Sequence, residues 1–258
     1  MRFKPVRRIR RALLPAVATA LLGALFACAP SAQENATPHA ALAVSDTGDV
    51  GYAWHGLAFV ARAPGYVPVV MPAPADVTSV AWRDGVAWLA APSAGLVFSA
   101  TGAPQTLTLP GQPSLLTAFL IVESDGSIYD YTGARLTRLP GAASEAQDLK
   151  DGSACVLVGS TLYRVTGSSF AALERLDGGH VYSDGSTCNL AEARKALTPS
   201  GEVSLRGNVL VGPSTQTTLD QGDKLMATGG GRVAVLDIET GRLRVLDSAS
   251  LKMWEAGS

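Results

Sequence analysis

The chain has 258 residues, of which 47% are hydrophobic, so it can bury a sizeable core. Lys and Arg number 21 and Asp and Glu 22, but six basic residues lie within the first eleven positions, which leaves 15 basic against 22 acidic residues, a net charge of −7. This balance argues against nucleic acid as a partner, because neutralising phosphates requires surplus Lys and Arg. With only 17% charged residues, 27 Gly and 15 Pro, the composition indicates a turn-rich β protein.

Residues 1–27 have the three parts of an export signal. A basic start ends at Arg11, an apolar run covers residues 12–26, and the small residue Ala27 follows. The apolar run is too short for a comfortable transmembrane helix. We therefore expect the remainder of the chain to leave the cytoplasm.

The end of the apolar run reads Leu25-Phe26-Ala27-Cys28. It resembles the lipobox of bacterial lipoproteins, which implies that Cys28 is the lipidated first residue of the mature protein. Ala29, rather than Asp, follows the cysteine, so the resemblance implies an outer-membrane location facing the periplasm. The alternative is an ordinary secreted protein, cut near Ala27 or after Ala32.

Residues 28–39 are predicted to be a flexible tether. This stretch is rich in Ala, Pro, Ser, Gln, Asn and Thr and has little apolar content. From residue 40 onward the chain shows short apolar runs separated by turn signals, which is typical of β structure. We therefore place the folded domain at residues 40–258.

Turn glycines recur through the domain with a mean spacing of about 35 residues. They are Gly65, Gly102, Gly133, Gly167, Gly207 and Gly241. Each turn leads into a run of alternating apolar residues, and hairpin turns favour Gly because it accepts positive φ. The spacing predicts six repeats that fill residues 40–248.

Four strands can be placed within a typical repeat. In the second repeat they are Ser79–Trp82, Val86–Ala90, Leu96–Ser99 and Gln105–Leu109. Four short antiparallel strands repeated radially form the unit of a β-propeller. We therefore predict an all-β propeller of six four-stranded blades, with five or seven blades, a β-sandwich or a β-solenoid as alternatives.

The last repeat, residues 232–246, resembles the outer hairpin of propeller repeats of the YVTN and PQQ type. The fifth repeat departs from the pattern. Its segment 189–197 contains strong helix formers and no β-branched residue. We interpret this segment as a tolerated insertion, the alternative being a binding loop on one face.

Two cysteines remain after Cys28. Cys155 and Cys188 end the matching segments Asp-Gly-Ser-Ala-Cys and Asp-Gly-Ser-Thr-Cys, which lie nearly one repeat apart. An exported protein can keep a disulfide. Side chains at equivalent positions in neighbouring repeats would, however, point the same way around the ring and would not face each other. The sequence therefore leaves open whether the two cysteines are paired.

The search for catalytic or metal-binding motifs assigns no catalytic residue, no metal and no cofactor. Histidine occurs only at His39, His55 and His180, without metal-ligand spacing. Asp-Gly-Ser begins at Asp125, Asp151 and Asp184. These segments could offer carboxylates to Ca²⁺, but Asp-Gly is also a favoured hairpin turn, and we prefer the turn interpretation.

Aromatic residues next to polar ones form a candidate binding face. They are Trp54, His55, Trp82, Arg83, Tyr129, Tyr131 and Tyr182. At a propeller mouth such side chains could hold a sugar or a peptide. The alternative, which we prefer, is that they pack between blades.

Two functions remain open, because a propeller supports several. The first is a non-catalytic binding or scaffold lipoprotein whose partner is an envelope protein or a glycan. In fold and anchor it resembles the propeller lipoprotein of the outer-membrane assembly machinery. The second is a propeller enzyme similar to lactonases or sugar dehydrogenases, families that gather Glu, Asn, Asp or His at the channel mouth. With Asn only at positions 35, 189 and 208, we favour the first.

Overall fold

The computed structural model describes residues 40–103 and 105–254. Predictions about the signal, Cys28 and the tether lie outside this range. The described residues form 25 strands and a single short 3₁₀ helix, in antiparallel sheets. The predicted all-β propeller is confirmed. None of the helical structure in these residues has the length and apolar character needed to cross a membrane.

Blades 1 and 2 are four-stranded. Blade 1 contains β1 (Ala40–Val44), β2 (Val50–Trp54), β3 (Leu57–Ala61) and β4 (Pro68–Met71). Blade 2 contains β5 (Ser79–Arg83), β6 (Val86–Ala91), β7 (Leu96–Ser99) and β8 (Thr106–Thr108), with the 3₁₀ helix Pro92–Ala94 between β6 and β7.

Blades 3 and 4 are also four-stranded, and a two-stranded hairpin follows them. Blade 3 contains β9 (Pro113–Leu116), β10 (Ile121–Glu123), β11 (Ser127–Tyr129) and β12 (Arg135–Arg138). Blade 4 contains β13 (Ala143–Asp148), β14 (Ala154–Val158), β15 (Thr161–Thr166) and β16 (Ser169–Arg175). The hairpin contains β17 (His180–Ser183) and β18 (Cys188–Ala191).

Two further blades complete the domain. Blade 5 contains β19 (Arg194–Thr198), β20 (Gly201–Arg206), β21 (Val209–Val211) and β22 (Gln216–Thr218). Blade 6 contains β23 (Lys224–Gly229), β24 (Arg232–Asp237) and β25 (Leu243–Asp247). Six blades of three or four strands are therefore present, as predicted, and the hairpin takes an additional place in the ring between blades 4 and 5.

The innermost strands close into a ring. Contacts run from β1 to β5, β9, β13, β17, β19 and β23, and from β23 back to β1. Every sheet before the last has an even number of strands, so all seven innermost strands run in the same direction. We call the end of the ring where they begin the upper end, and the end where they finish the lower end.

Apolar clusters fill the spaces between neighbouring sheets. The second strands of blades lie between two such clusters and are therefore apolar along most of their length, as in β6 (VAWLAA) and β14 (ACVLV). One cluster joins Ala81 and Trp88 of blade 2 to Ile121 of blade 3. Comparable clusters join blades 1 and 2, 3 and 4, 4 and the hairpin, 5 and 6, and 6 and 1.

The turn glycines are equivalent in only part of the ring. Gly65, Gly102, Gly133 and Gly167 lie between the third and fourth strands of blades 1–4, as predicted. Gly207 and Gly241 instead lie between the second and third strands of blades 5 and 6, so their predicted equivalence is wrong. Glycine suits any tight β turn, so it can mark different turns in different blades. In addition, the hairpin adds only two strands, whereas the glycine spacing counted it within a whole repeat.

Segment 189–197 is not an insertion in the repeat. It contains most of β18 and the first four residues of β19, so our interpretation is wrong. Asn189 pairs with Tyr182, Leu190 with Val181, and Ala196 with Val203. Strand pairing and burial outweigh the helix propensity of these residues, which is a weak preference.

Blade 4 holds the hairpin in place. Cys155 of β14 and Cys188 of β18 form a disulfide with Cα atoms 5.5 Å apart. Val181 and Leu190 of the hairpin pack on a buried apolar group of blade 4 that includes Leu162. The Glu174 carboxylate accepts a hydrogen bond from the Leu190 N–H. These contacts stabilise a two-stranded sheet that would be marginal alone.

The two cysteines meet because their surroundings are not equivalent. Five residues separate β13 from β14, whereas four separate β17 from β18. Cys155 is opposite Gln147, and Cys188 is opposite Ser183. A change of one residue in a turn reverses which side of the sheet a side chain faces, so the repeat alone could not decide this pairing.

Side chains join blade 1 to blade 6 and close the ring. Trp54 Nε1 donates to the Ile238 carbonyl oxygen over 2.8 Å, and Trp254 Nε1 donates to the Pro64 carbonyl oxygen over 3.1 Å. Gly241 has φ +68°, and a Cβ there would lie 2.6 Å from Trp54 Cδ2. Only glycine fits this close contact between the last and first blades.

Candidate ligand site

The junction between the hairpin and blade 5 differs from the other junctions. Within the described part of the chain, no apolar cluster joins these two sheets. A cleft of about 810 Å³ lies beside the junction, lined by residues of the hairpin, blade 5 and blade 6 that include His180, Arg194 and Lys224. Its volume is in the range of small-molecule sites.

Glu145 organises the inner side of this junction. Its Oε1 accepts hydrogen bonds from His180 Nδ1 at 2.7 Å and Arg194 Nη1 at 2.8 Å, and its Oε2 accepts one from the Val181 N–H at 2.9 Å. The side chains of Glu145, His180 and Arg194 are 20%, 30% and 31% exposed, respectively. They begin or nearly begin three successive innermost strands, β13, β17 and β19, at the upper end.

This network fixes the imidazole of His180. Because Nδ1 faces a carboxylate, Nδ1 donates the hydrogen bond, which leaves Nε2 as the second polar atom of the ring. His180 lines the cleft, and Nε2 has no hydrogen-bond partner among the described residues. Arg194 likewise uses only one of its five N–H groups for Glu145. Hydrogen-bonding groups therefore remain for a ligand.

Two other cations of the cleft are held by carboxylates. Lys195 Nζ lies 2.9 Å from Glu202 Oε1 and 5.7 Å from the centre of the Tyr182 ring. Lys224 Nζ lies 3.3 Å from Asp237 Oδ2 and donates to the Gly222 carbonyl oxygen over 2.9 Å. Burial, and then the negative charge of Glu202, raise the pKa of Tyr182.

A central channel of about 1050 Å³ is lined by innermost strands. Near its lower end, Asp148 Oδ2 accepts a hydrogen bond from the Ala118 N–H over 2.6 Å, while Oδ1 is buried without a partner in the described structure. Burial raises the pKa of this carboxyl group. No group of three or more potential metal ligands occurs among the described residues.

The Asp-Gly-Ser segments do not converge. Asp151 and Asp184 lie in turns between the first and second strands at the lower end, whereas Asp125 lies between the second and third strands at the upper end. In each segment the Asp Oδ1 accepts the N–H of the Ser two residues on, at 2.8–3.0 Å. This geometry agrees with the turn interpretation.

The hydrogen bonds to Asp184 indicate how the stability of the protein depends on pH. The N–H groups of Thr187 and Ser186 hold the pKa of Asp184 below its ordinary value of 3.8. A carboxyl group whose pKa is lower in the folded than in the unfolded protein stabilises the fold above about pH 4. This contribution is lost as the pH falls below about 4. We expect D184N to lose less stability than the unmodified protein between pH 5 and pH 2.5 in urea titrations.

The matched control is D84N, which changes an Asp-Gly turn whose carboxylate accepts a side-chain hydrogen bond only from Arg83 in the described structure. Equal acid sensitivity of D184N and the unmodified protein would contradict the prediction.

The structure does not bring the candidate binding residues onto one face. Trp54 ends β2 at the upper end and His55 lies in the turn that follows, Tyr182 lies on β17, and the remaining four lie towards the lower end. Several of them bridge blades: Trp82 Nε1 donates to the Ala43 carbonyl oxygen over 3.3 Å. Arg83 of blade 2 lies 4.7 Å from the centre of the Tyr131 ring of blade 3, whereas the Tyr131 OH donates within blade 3, to the Thr117 carbonyl oxygen over 2.6 Å.

Sequence reasoning missed Glu145 and Arg194 and gave His180 no role. One signal was available: Glu145 precedes His180 by the length of a repeat. Residues one repeat apart lie on neighbouring innermost strands, so a charged pair at that spacing is a candidate contact. Arg194 follows His180 by less than half a repeat, because the hairpin is short, and no repeat spacing indicates it.

Comparison with known proteins supports the fold. No family model matches the sequence, and no curated protein is significantly similar to it. Similar solved structures include PorZ, a surface component of the type-IX secretion system of Porphyromonas gingivalis, with 12% identity and a TM-score of 0.54, covering 81% of this chain and 36% of that one. A streptogramin B lyase has 16% identity, a TM-score of 0.48 and coverages of 75% and 74%. BamB from Moraxella catarrhalis has 13% identity, a TM-score of 0.41 and coverages of 83% and 81%.

At these identities the likeness shows the fold alone. The fold and the cleft together define a β-propeller with a ligand-sized, charged site at the upper end of the ring, beside its shortest sheet.

Proposed function

We propose that the protein is an envelope lipoprotein, anchored through Cys28, whose propeller is a non-catalytic binding or scaffold module. The observation that carries the binding role is the cleft beside the hairpin, where an ionic network takes the place of the apolar packing of the other junctions. Charged groups with free donors and acceptors around a cleft are suited to recognising a polar partner. Another envelope protein or a glycan is the expected kind of partner.

The anchor follows from the residues that precede the domain. The lipobox-like Leu25-Phe26-Ala27-Cys28 lies fifteen residues or fewer before β1, which begins at Ala40. Ala40 lies twelve positions after Cys28, and a chain of that length spans at most about 40 Å when extended. The anchor would therefore keep the propeller close to the membrane, with the expected site at the outer membrane facing the periplasm.

The test of the anchor is C28S. We expect this variant to leave the membrane fraction, because the only proposed attachment is the lipid on that sulfur, while the propeller keeps its melting temperature. Fractionation of cell envelopes in high salt, with metabolic labelling by a fatty acid, measures the effect. A matched control is S31A, which changes the same segment without removing the thiol. C28S still bound to membranes in high salt would refute the anchor.

A propeller enzyme is the second candidate function. The observation that favours it is His180, which lines the cleft and whose ring is oriented by a carboxylate at Nδ1, an arrangement suited to a general base. Lactonase and sugar-oxidation assays on the unmodified protein and H180Q distinguish the two. Turnover that H180Q abolishes would replace the binding proposal with the enzyme.

A further inference from the structure

The cleft carries charges of both signs that no other described residue neutralises. Glu192 in the turn between β18 and β19, Arg206 at the end of β20, and Asp223 before β23 all line it. None of the three forms an ion pair within residues 40–103 and 105–254. This sets them apart from Arg194, Lys195 and Lys224, which are paired with carboxylates.

The positive groups lie on paired strands, and both line the cleft. Arg194 pairs directly with Leu205 across β19 and β20. Arg206 is the next residue along β20, so its side chain leaves the sheet on the opposite face from that of Arg194. Glu145 occupies one N–H group of Arg194, so the remaining N–H groups and the whole Arg206 guanidinium are available to an incoming anion. Guanidinium groups bind carboxylates with paired hydrogen bonds.

The negative groups and the apolar lining complete the description of the site. Glu192 lies in the connection between the hairpin and blade 5, and Asp223 lies in the connection between blade 5 and blade 6. Leu190, Ala193 and Ile238 also line the cleft, and no Phe, Trp or Tyr does. A sugar ring therefore has no Phe, Trp or Tyr face to stack on here, whereas a short aliphatic group has apolar side chains to contact.

We propose that this cleft binds a zwitterionic ligand of the amino-acid type, with a carboxylate at Arg206, an ammonium group at Glu192 and Asp223, and a small aliphatic side chain between them. The proposal deepens the proposed binding function and rests on it. The ligand chemistry could come from a free amino acid or from a short peptide with both termini free, and the cleft volume of about 810 Å³ accommodates either.

The experiment is calorimetry on the full chain with four probes: L-alanine, L-alanyl-L-alanine, its N-acetyl derivative and its C-terminal amide. We expect saturable binding of alanine or dialanine, and the stronger of the two identifies the source. Blocking either terminus is expected to weaken binding at least about tenfold, because each block removes one charge from a charge-assisted contact.

Two variants connect each terminus of the ligand to its side of the cleft. R206Q should weaken dialanine binding about tenfold, and its affinities for dialanine and for the C-terminal amide should be equal. D223N should do the same for dialanine and its N-acetyl derivative. R135Q, which changes an exposed arginine of blade 3, is the matched control and should leave all affinities unchanged. Melting temperatures show that each variant is folded.

Three outcomes would overturn the proposal: no saturable binding of any probe, equal affinity of the blocked and free ligands, or unchanged selectivity in both variants. Each is separate from failure of the proposed function, because membrane fractionation of C28S does not depend on the cleft. If C28S leaves the membrane but the protein binds none of the probes, the proposed anchor is retained and the proposed ligand is wrong.

Discussion

Replacing both Cys155 and Cys188 by alanine is expected to lower the free energy of unfolding by about 3–4 kcal/mol, the loop-closure entropy of a cross-link between residues 33 apart. For a domain of this size, that loss corresponds to a melting temperature lower by about 10 °C. The effect should be concentrated at the hairpin, because the hairpin has only two strands and depends on blade 4 for its attachment.

The measurement is thermal unfolding in the C28S background, which leaves only these two cysteines. A reducing agent should lower the melting temperature of that background protein and have no effect on the double alanine variant, which serves as the control. Hydrogen exchange should show the largest loss of protection at residues 180–191, with blades 1–3 little changed. Equal melting temperatures with and without the cysteines would contradict the prediction.

Removing the Glu145 carboxylate is expected to have the second-largest effect on stability. E145A leaves His180 Nδ1, the Val181 N–H and Arg194 Nη1 without their acceptor. Because these side chains are partly solvated, we expect a cost of about 2 kcal/mol, below that of a fully buried pair. The melting temperature should fall by about 4–8 °C.

E145Q separates hydrogen bonding from charge. Its melting temperature should lie between those of E145A and the unmodified protein, because the amide oxygen can still accept hydrogen bonds. The matched control is E202Q, which removes the partner of Lys195 from a side chain that is 44% exposed. Its cost should be below about 0.5 kcal/mol, as for most surface pairs. If E145A melted like E202Q, the network would have no role in holding the hairpin between blades 4 and 5.

The propeller could be predicted from the sequence because its evidence is local. Turn glycines and alternating apolar runs recur in each blade, and the four strands proposed for the second repeat match β5–β8 closely. The short sheet could not be predicted in the same way. Residues 189–197, which contain most of β18 and the start of β19, favour helix on intrinsic propensity, and they form strands because Val181, Val203 and the neighbouring sheets provide pairing and burial.

The candidate site shows a similar limit. Individual charged residues are visible in the sequence, but the contact of Glu145 with Arg194 spans 49 residues and depends on a hairpin whose length breaks the repeat. The disulfide depends on turn lengths that differ by one residue. Both are consequences of register, which the repeat spacing does not determine.

The way in which the ring closes has a consequence for the order of folding. The described side-chain hydrogen bonds that connect the most distant parts of the sequence, namely those of Trp54, Tyr66 and Trp254, all join blade 1 to blade 6 or to the segment after it. Strand pairing occurs between neighbours in the sequence, so each blade can form with little loss of chain entropy. Only the final joint requires distant parts of the chain to meet. The domain therefore combines a β architecture with strand pairing between neighbours in the sequence, and we expect it to assemble sheet by sheet, with docking of the last blade on the first as the late step.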